Sequence, residues 1–240
     1  MDNFVIVTAT KYENNNDPRF FMAEQTIGLA RLFRYRIVVV DDSPDPAVAR
    51  AFVEKEAVLF RQEVKGFGYA VRQAICEGAK LAGPDGIVAW QEPEKIDMLR
   101  HYKVFVDPIL KNEADMVIPR RTDFSLSTYP AEQVLSEKLL NHYAWLLSGK
   151  KLALDLGSGV RVFKTALAHF FEDYDGAIWD TLVIPVIRAV KANCRIESIG
   201  INYIHPRKQK EIEEGNTLWC EKRLTQLQHL IPLLKKEWGK

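Results

Sequence analysis

Over the first half of the chain, short apolar runs rich in β-branched residues alternate with longer segments whose apolar residues recur at helical spacing. No other feature restricts the fold as much. The runs lie at residues 4–9, 36–40, 57–60, 86–90 and 115–119, and apart from Thr8, Arg36 and Asp115 they are apolar throughout, as strands covered on both faces are. Between the first two, Asp17-Pro18 supplies an N-cap and a first-turn proline for a helix over 18–33. The turn residues from Asp41 to Pro46 stop the second run and start another helix. Ala70, Val71, Ala74, Ile75 and Ala79 then recur at helical spacing, and 97–111 reads as helix. This order predicts an α/β fold, with a mainly parallel central sheet flanked by helices.

The second half changes pattern. A long helix over 131–147 precedes a glycine-containing segment at 154–162, two shorter helices around 164–171 and 179–191, a strand over 195–204, and an amphipathic helix over 217–238. With 240 residues, 47% of them hydrophobic, and no linker or repeat, the chain reads as a single domain over 1–240. A net charge of +1 with no long block of one sign gives no footprint for nucleic acid, which is set aside as a partner. Cys76, Cys194 and Cys220 are too scattered for a zinc site or a disulfide framework. There is no basic, apolar leader at the start and no stretch long enough to span a membrane, so the chain reads as soluble and cytoplasmic. The stripe Leu218, Leu224, Leu227, Leu230, Ile231 and Leu234 reads as packing on its own domain. A homodimer contact and a peripheral membrane contact are its other readings.

Ligands of open α/β sheets bind beyond the carboxyl ends of the strands, which directs attention to residues 8–10, 41–43, 65–68 and 91–95. Asp42 is suited to accept hydrogen bonds from a base or ribose. The Gly66-Phe67-Gly68 backbone, with Lys65 beside it, is suited to a diphosphate. The alternative is that Asp41, Asp42 and Asp45 are turn and capping residues and that the glycines merely permit a tight loop. Glu92 and Glu94 at a strand end suit Mg2+ or Mn2+ bound through a diphosphate, with His205 as a third ligand or phosphate contact beside Arg207 and Lys208. Otherwise they are solvated charges at a helix entrance and a structural histidine.

Taken in order, these segments resemble the family 2 glycosyltransferases and neighbouring GT-A families. Val38-Val39-Val40-Asp41-Asp42-Ser43 resembles the family's strand ending in Asp-Asp-Gly-Ser, and Lys65 to Arg72 resembles its Gly-x-Gly-x-Ala-x-Arg segment. Ile87 to Glu94 occupies the position of the strand ending in Asp-x-Asp, and Ala114 to Arg121 resembles the strand that follows. The most specific likeness is Asp155-Leu156-Gly157-Ser158-Gly159-Val160-Arg161-Val162-Phe163-Lys164, which is similar to the acceptor-side Asp-x-x-Ser-Gly-Phe-Arg segment. From Trp179-Asp180 to His205 the chain also resembles mannosylglycerate synthase-like enzymes, in which a histidine after the last strand joins the metal site.

The resemblance implies a GT-A fold whose residues 1–121 bind a nucleoside diphosphate sugar and whose residues 122–240, with the C-terminal helix, build the acceptor half. It implies transfer of the sugar to a hydroxyl on a small molecule, lipid phosphate or glycan. Thr8, Ala9, Asp41, Asp42, Lys65, Gly66, Arg72 and Gln91 fall on the donor side, and Ser158, Arg161 and Arg207 on the acceptor or phosphate. Retaining and inverting enzymes share this fold; for an inverting one, Asp180 is the implied general base and Asp155 the second choice. Glu92, Glu94 and His205 are the implied ligands of Mg2+ or Mn2+. The departure is Gln91-Glu92-Pro93-Glu94 where Asp-x-Asp is expected. Catalysis with a cation, catalysis without one, and a degenerate domain that only binds are therefore all left open. A sugar-phosphate nucleotidyltransferase is a further alternative, and it calls for a Gly-rich, Arg-containing loop where Thr8-Ala9-Thr10-Lys11 stands.

Overall fold

The Asp-Pro pairs start helices as predicted. Asp17 and Asp45 each accept a hydrogen bond from the backbone N–H two residues on, both at 2.8 Å, and a proline fills the first turn. In the computed structural model, which describes residues 3–152, 154–176 and 178–239, β1 (Phe4–Thr10) leads to α1 (Pro18–Leu32) and β2 (Arg36–Asp41) to α2 (Pro46–Glu54). β3 (Val58–Arg61) leads to α3 (Phe67–Ala82), and β4 (Ile87–Gln91) to a 3-10 turn (Ile96–His101) that runs into α4 (Tyr102–Leu110). After β5 (Met116–Arg121) come α5 (Asp123–Ser127), α6 (Ala131–Leu147), β6 (Val160–Lys164), α7 (Ile184–Lys191), β7 (Ile196–Ile201), α8 (Arg207–Glu213) and α9 (Thr217–Gly239).

Three elements depart from the sequence reading. Residues 154–162 run into β6, where Arg161 interrupts the apolar run that marks the other strands. The charged segment 207–213 forms α8 although it carries no apolar stripe, and α5 is a single turn capped by Thr122.

Among the described residues the strands form one sheet in the order β3-β2-β1-β4-β6-β5-β7, with β6 alone antiparallel to its neighbours. Val5, Val7 and Ala9 of β1 point into the core under α3, α7 and α9, while Phe4 and Ile6 point into the core under α1, α2 and α4. The order reverses between β1 and β4. One connection leaves toward β2 and the other toward the 3-10 turn, and a crevice opens at the carboxyl ends of the two strands.

Candidate functional site

A cleft of about 530 Å3 fills that crevice. Its floor is made by Ala9 to Lys11, Asp42, Lys65 to Phe67 and Glu92 to Lys95. Its far wall combines Tyr129, Trp179, Leu182, Tyr203 and His205 with Trp219, Lys222, Arg223 and Gln226 of α9. A second, more open hollow of about 490 Å3 lies on the other side of Arg121, bordered by Arg120, His142 and Trp145. Only the first cavity lies at the strand ends where the sheet order reverses.

The aspartates at the end of β2 have separate roles. Asp41 is buried and accepts from the Thr10 hydroxyl (2.8 Å) and the Ser43 hydroxyl (2.6 Å); Ser43 in turn accepts the Tyr12 N–H at 2.9 Å. Asp41 thus fixes the loop. Asp42 borders the cleft, pairs with Lys11 at 2.9 Å and Arg61 at 3.5 Å, and is held below the usual carboxylate range by the Lys11 hydrogen bond. Thr8 donates to the Gln91 carbonyl at 2.8 Å, which ties the ends of β1 and β4 together. Arg72 lies outside the cleft lining. It is sandwiched between the rings of Tyr69 and Tyr174 and donates to the Tyr174 carbonyl at 2.7 Å, anchoring the segment that leads to Trp179.

Each member of the segment in the Asp-x-Asp position already has partners. The Gln91 side chain accepts from the Tyr102 hydroxyl at 2.6 Å and donates to the Lys95 carbonyl at 3.0 Å, locking a turn. Glu94 is buried, bound by Arg19 at 2.7 Å and the Tyr12 hydroxyl at 3.1 Å; burial pushes its pKa up, against the attraction of Arg19. Glu92 lies 3.4 Å from the Lys95 ammonium, and although desolvation opposes its charge, that lysine holds it below its ordinary value. His205 stacks on Tyr129 with ring centroids 4.3 Å apart and turns Nε2 toward Glu213 at 3.7 Å. Among the described residues no three His, Cys, Asp or Glu side chains come together as metal ligands. Glu94 is taken up by Arg19 and His205 Nε2, buried without a hydrogen-bond partner, faces Glu213, so the three side chains are not gathered around one point in this structure.

On the acceptor side, Arg161 is fully buried. It donates to the carbonyls of Val160 and Leu156 (both 2.7 Å) and Leu182 (3.2 Å), and to Ser158 Oγ at 3.1 Å. Burial lowers its pKa to about 10, which still leaves all but about one molecule in a thousand charged at pH 7. Arg161 and Ser158 thus knit residues 156–160 to the turn at 180–182. Asp155 is committed to Arg121, which donates to it from its backbone N–H (3.1 Å), Nε (2.8 Å) and Nη2 (2.7 Å) and also binds Glu137. Asp180 is buried and hydrogen-bonded to Nε2 of His229 on α9, while its neighbours Trp179 and Leu182 line the cleft. Arg207 is solvent-exposed on α8 and pairs with Glu211 at 2.8 Å.

The sequence reading did not single out Lys95, His229 or the cleft-facing residues of α9. A signal for the last was present: Trp219, Lys222, Gln226 and His229 recur at three- and four-residue intervals beside the leucine stripe.

No protein-family model and no curated protein matches the chain. Solved structures do. Glucosyl-3-phosphoglycerate synthase of Mycobacterium tuberculosis superposes with a TM-score of 0.65 at 15% identity, over 98% of this chain and 80% of that one. Its complex with Mn2+ and UDP-glucose gives 0.64 at 16% identity, over 98% and 79%. Its complex with Mn2+, UDP and glucosyl-3-phosphoglycerate gives 0.63 at 14%, over 98% and 80%. At these identities the likeness is one of fold, and the fold is GT-A, as the sequence motifs implied.

Proposed function

We propose that this protein is a glycosyltransferase that moves a sugar from a nucleoside diphosphate sugar to a hydroxyl of a small anionic acceptor. The observation that carries the reading is the cleft itself. It lines up Asp42, Lys65 and Lys95 along the strand ends and faces them with Trp179 and Leu182, which flank the buried Asp180, and with the Lys222 and Arg223 pair of α9. The nucleoside lies against Ala9, Lys11 and Asp42, and the diphosphate near Lys65, Gly66 and the Glu92–Lys95 turn. The structural neighbours, which bind UDP-glucose and a phosphoglycerate product, support both the donor class and an anionic acceptor.

In this reading the Asp180–His229 pair takes the proton of the acceptor hydroxyl. The acceptor oxygen forms its bond to the anomeric carbon as the bond from that carbon to the diphosphate oxygen breaks, and the nucleoside diphosphate leaves with the electron pair. A positioned base contributes about 10²–10⁴-fold to such a step. Cations beside the leaving phosphate stabilise the charge that develops on it. No step is assigned to a metal ion, since Glu92, Glu94 and His205 are not gathered into one donor set in this structure.

The experiment is to incubate the protein with UDP-, GDP- and ADP-linked sugars and with 3-phosphoglycerate or glycerol 3-phosphate, and to measure nucleoside diphosphate release. Acceptor-dependent release is expected with one donor. Asp180→Asn and His229→Asn should each lower kcat by about 10² or more while leaving donor affinity within about threefold. Donor binding without release under every condition would instead establish a binding domain.

A further inference from the structure

We propose that the Lys95 ammonium occupies the role a divalent ion plays beside an Asp-x-Asp segment, so that the donor diphosphate is bound and its charge offset without metal. This inference rests on the glycosyltransferase reading.

The other polar groups of the segment are already engaged. The Gln91 side chain is used twice within the turn, and Glu94 is neutralised by Arg19. That leaves Glu92, and its partner is a lysine of the same turn rather than a second acid. The formal sum is unchanged: two carboxylates with a divalent ion, or one carboxylate with an ammonium, both come to zero. A diphosphate meets the same net charge in either case.

Lys95 is placed as a ligand group and not as a surface charge. It is only 6% exposed, yet it borders the cleft. Its Nζ lies 3.4 Å from Glu92 and 3.4 Å from the Tyr129 hydroxyl, and 5.4 Å from the centre of the Tyr203 ring. An ammonium carries three N–H donors, and two of these contacts use one each, so one remains for a phosphate oxygen. Burying an ammonium costs free energy unless it is fully paired. Here Glu92, whose side chain is 41% exposed, and the Tyr129 hydroxyl pair with it.

The backbone is shaped for the pair. Gly159, at φ +69°, accepts the Glu92 N–H at 3.0 Å, and a Cβ on it would fall 2.6 Å from both Glu92 Cδ and Lys95 Cε. Any side chain at position 159 would displace both charges together.

The test is calorimetric titration of UDP, GDP and ADP into the full-length protein in EDTA and, separately, in Mn2+. At least one nucleotide should bind in EDTA with a Kd within about threefold of its value in Mn2+, and Lys95→Met should weaken that binding by about tenfold or more. A companion Lys95→Arg variant, which keeps the charge, should lose less than Lys95→Met. Binding that appears only with Mn2+, or EDTA binding that Lys95→Met leaves undiminished, overturns this inference and leaves the glycosyltransferase reading standing. Absence of binding in both buffers overturns both. If Lys95→Met fails to fold, Lys95→Gln is read in its place, with the same expected loss and the same overturning result.

Discussion

Asp155 is 6% exposed and remains ionised because Arg121 surrounds it. Burial alone would raise its pKa, but the Arg121 attraction and hydrogen bonds outweigh burial and hold it below the usual range. Because the folded value lies below the unfolded one of about 3.9, the pair stabilises the fold at neutral pH, and that stabilisation is lost as pH falls below about 4. Asp155→Asn is expected to cost about 3–5 kcal/mol at pH 7, read from the urea midpoint, because it leaves Arg121 half-paired in the interior. The gap to wild type should close as both are acidified, and a gap of constant size from pH 7 to pH 3 would contradict this account. The same residue marks a limit of sequence reading. Asp155 stood out in its motif as an alternative base, but its partner lies 34 positions upstream, and nothing local to either residue announces the contact. Asp42 was legible for the opposite reason, since a polar residue directly after a buried strand emerges at the sheet edge whatever its distant neighbours are.

At the scale of elements, strands with continuous apolar runs and helices opened by Asp-Pro were legible because local chemistry decides them. β6 was not, because its Arg161 is satisfied by the carbonyls of Val160, Leu156 and Leu182, the last of them 21 positions downstream. The Gly66-Phe67-Gly68 segment carries a similar lesson. It reads as a phosphate loop, and Gly66 does border the cleft, but Gly68 faces another part of the fold. A Cβ there would fall 1.8 Å from the Gly176 carbonyl oxygen, so α3 and the segment leading to Asp180 touch backbone to backbone. Alanine is favoured over glycine by about 1 kcal/mol in an exposed helix, but the obstacle here is main chain that cannot swing aside. Gly68→Ala is expected to destabilise by about 1–3 kcal/mol net and to reduce turnover, because Trp179 and Asp180 must shift with the displaced loop. Thermal unfolding together with kcat checks this. An unchanged or raised Tm with full activity would mean that the loop is not held by this contact.

Across the whole molecule, the half of the sheet built from β1 to β4 supplies a row of strand-end loops, and the rest of the chain wraps back to close them. α9 does both jobs. Leu230 and Leu234 bury it against the domain, and Glu237 pairs with Arg188 of α7 at 3.3 Å. Its first three turns meanwhile present Trp219, Lys222, Arg223 and Gln226 to the cleft. Its leucine stripe was readable as a packing face, but its cleft-facing side was not, because charged residues beside an apolar stripe look the same over solvent as over a ligand. Among the described residues no helix is long and apolar enough to cross a membrane. The account stands on the identity of this cleft as a nucleoside diphosphate sugar site. The most direct measurement is a crystal structure of the protein grown with the nucleoside diphosphate that it binds most tightly. The account predicts the nucleoside against Ala9 and Asp42 and the diphosphate within hydrogen-bonding reach of Lys65 or Lys95. A nucleotide found instead in the hollow beside Arg120, His142 and Trp145, with the strand-end cleft empty, would contradict it.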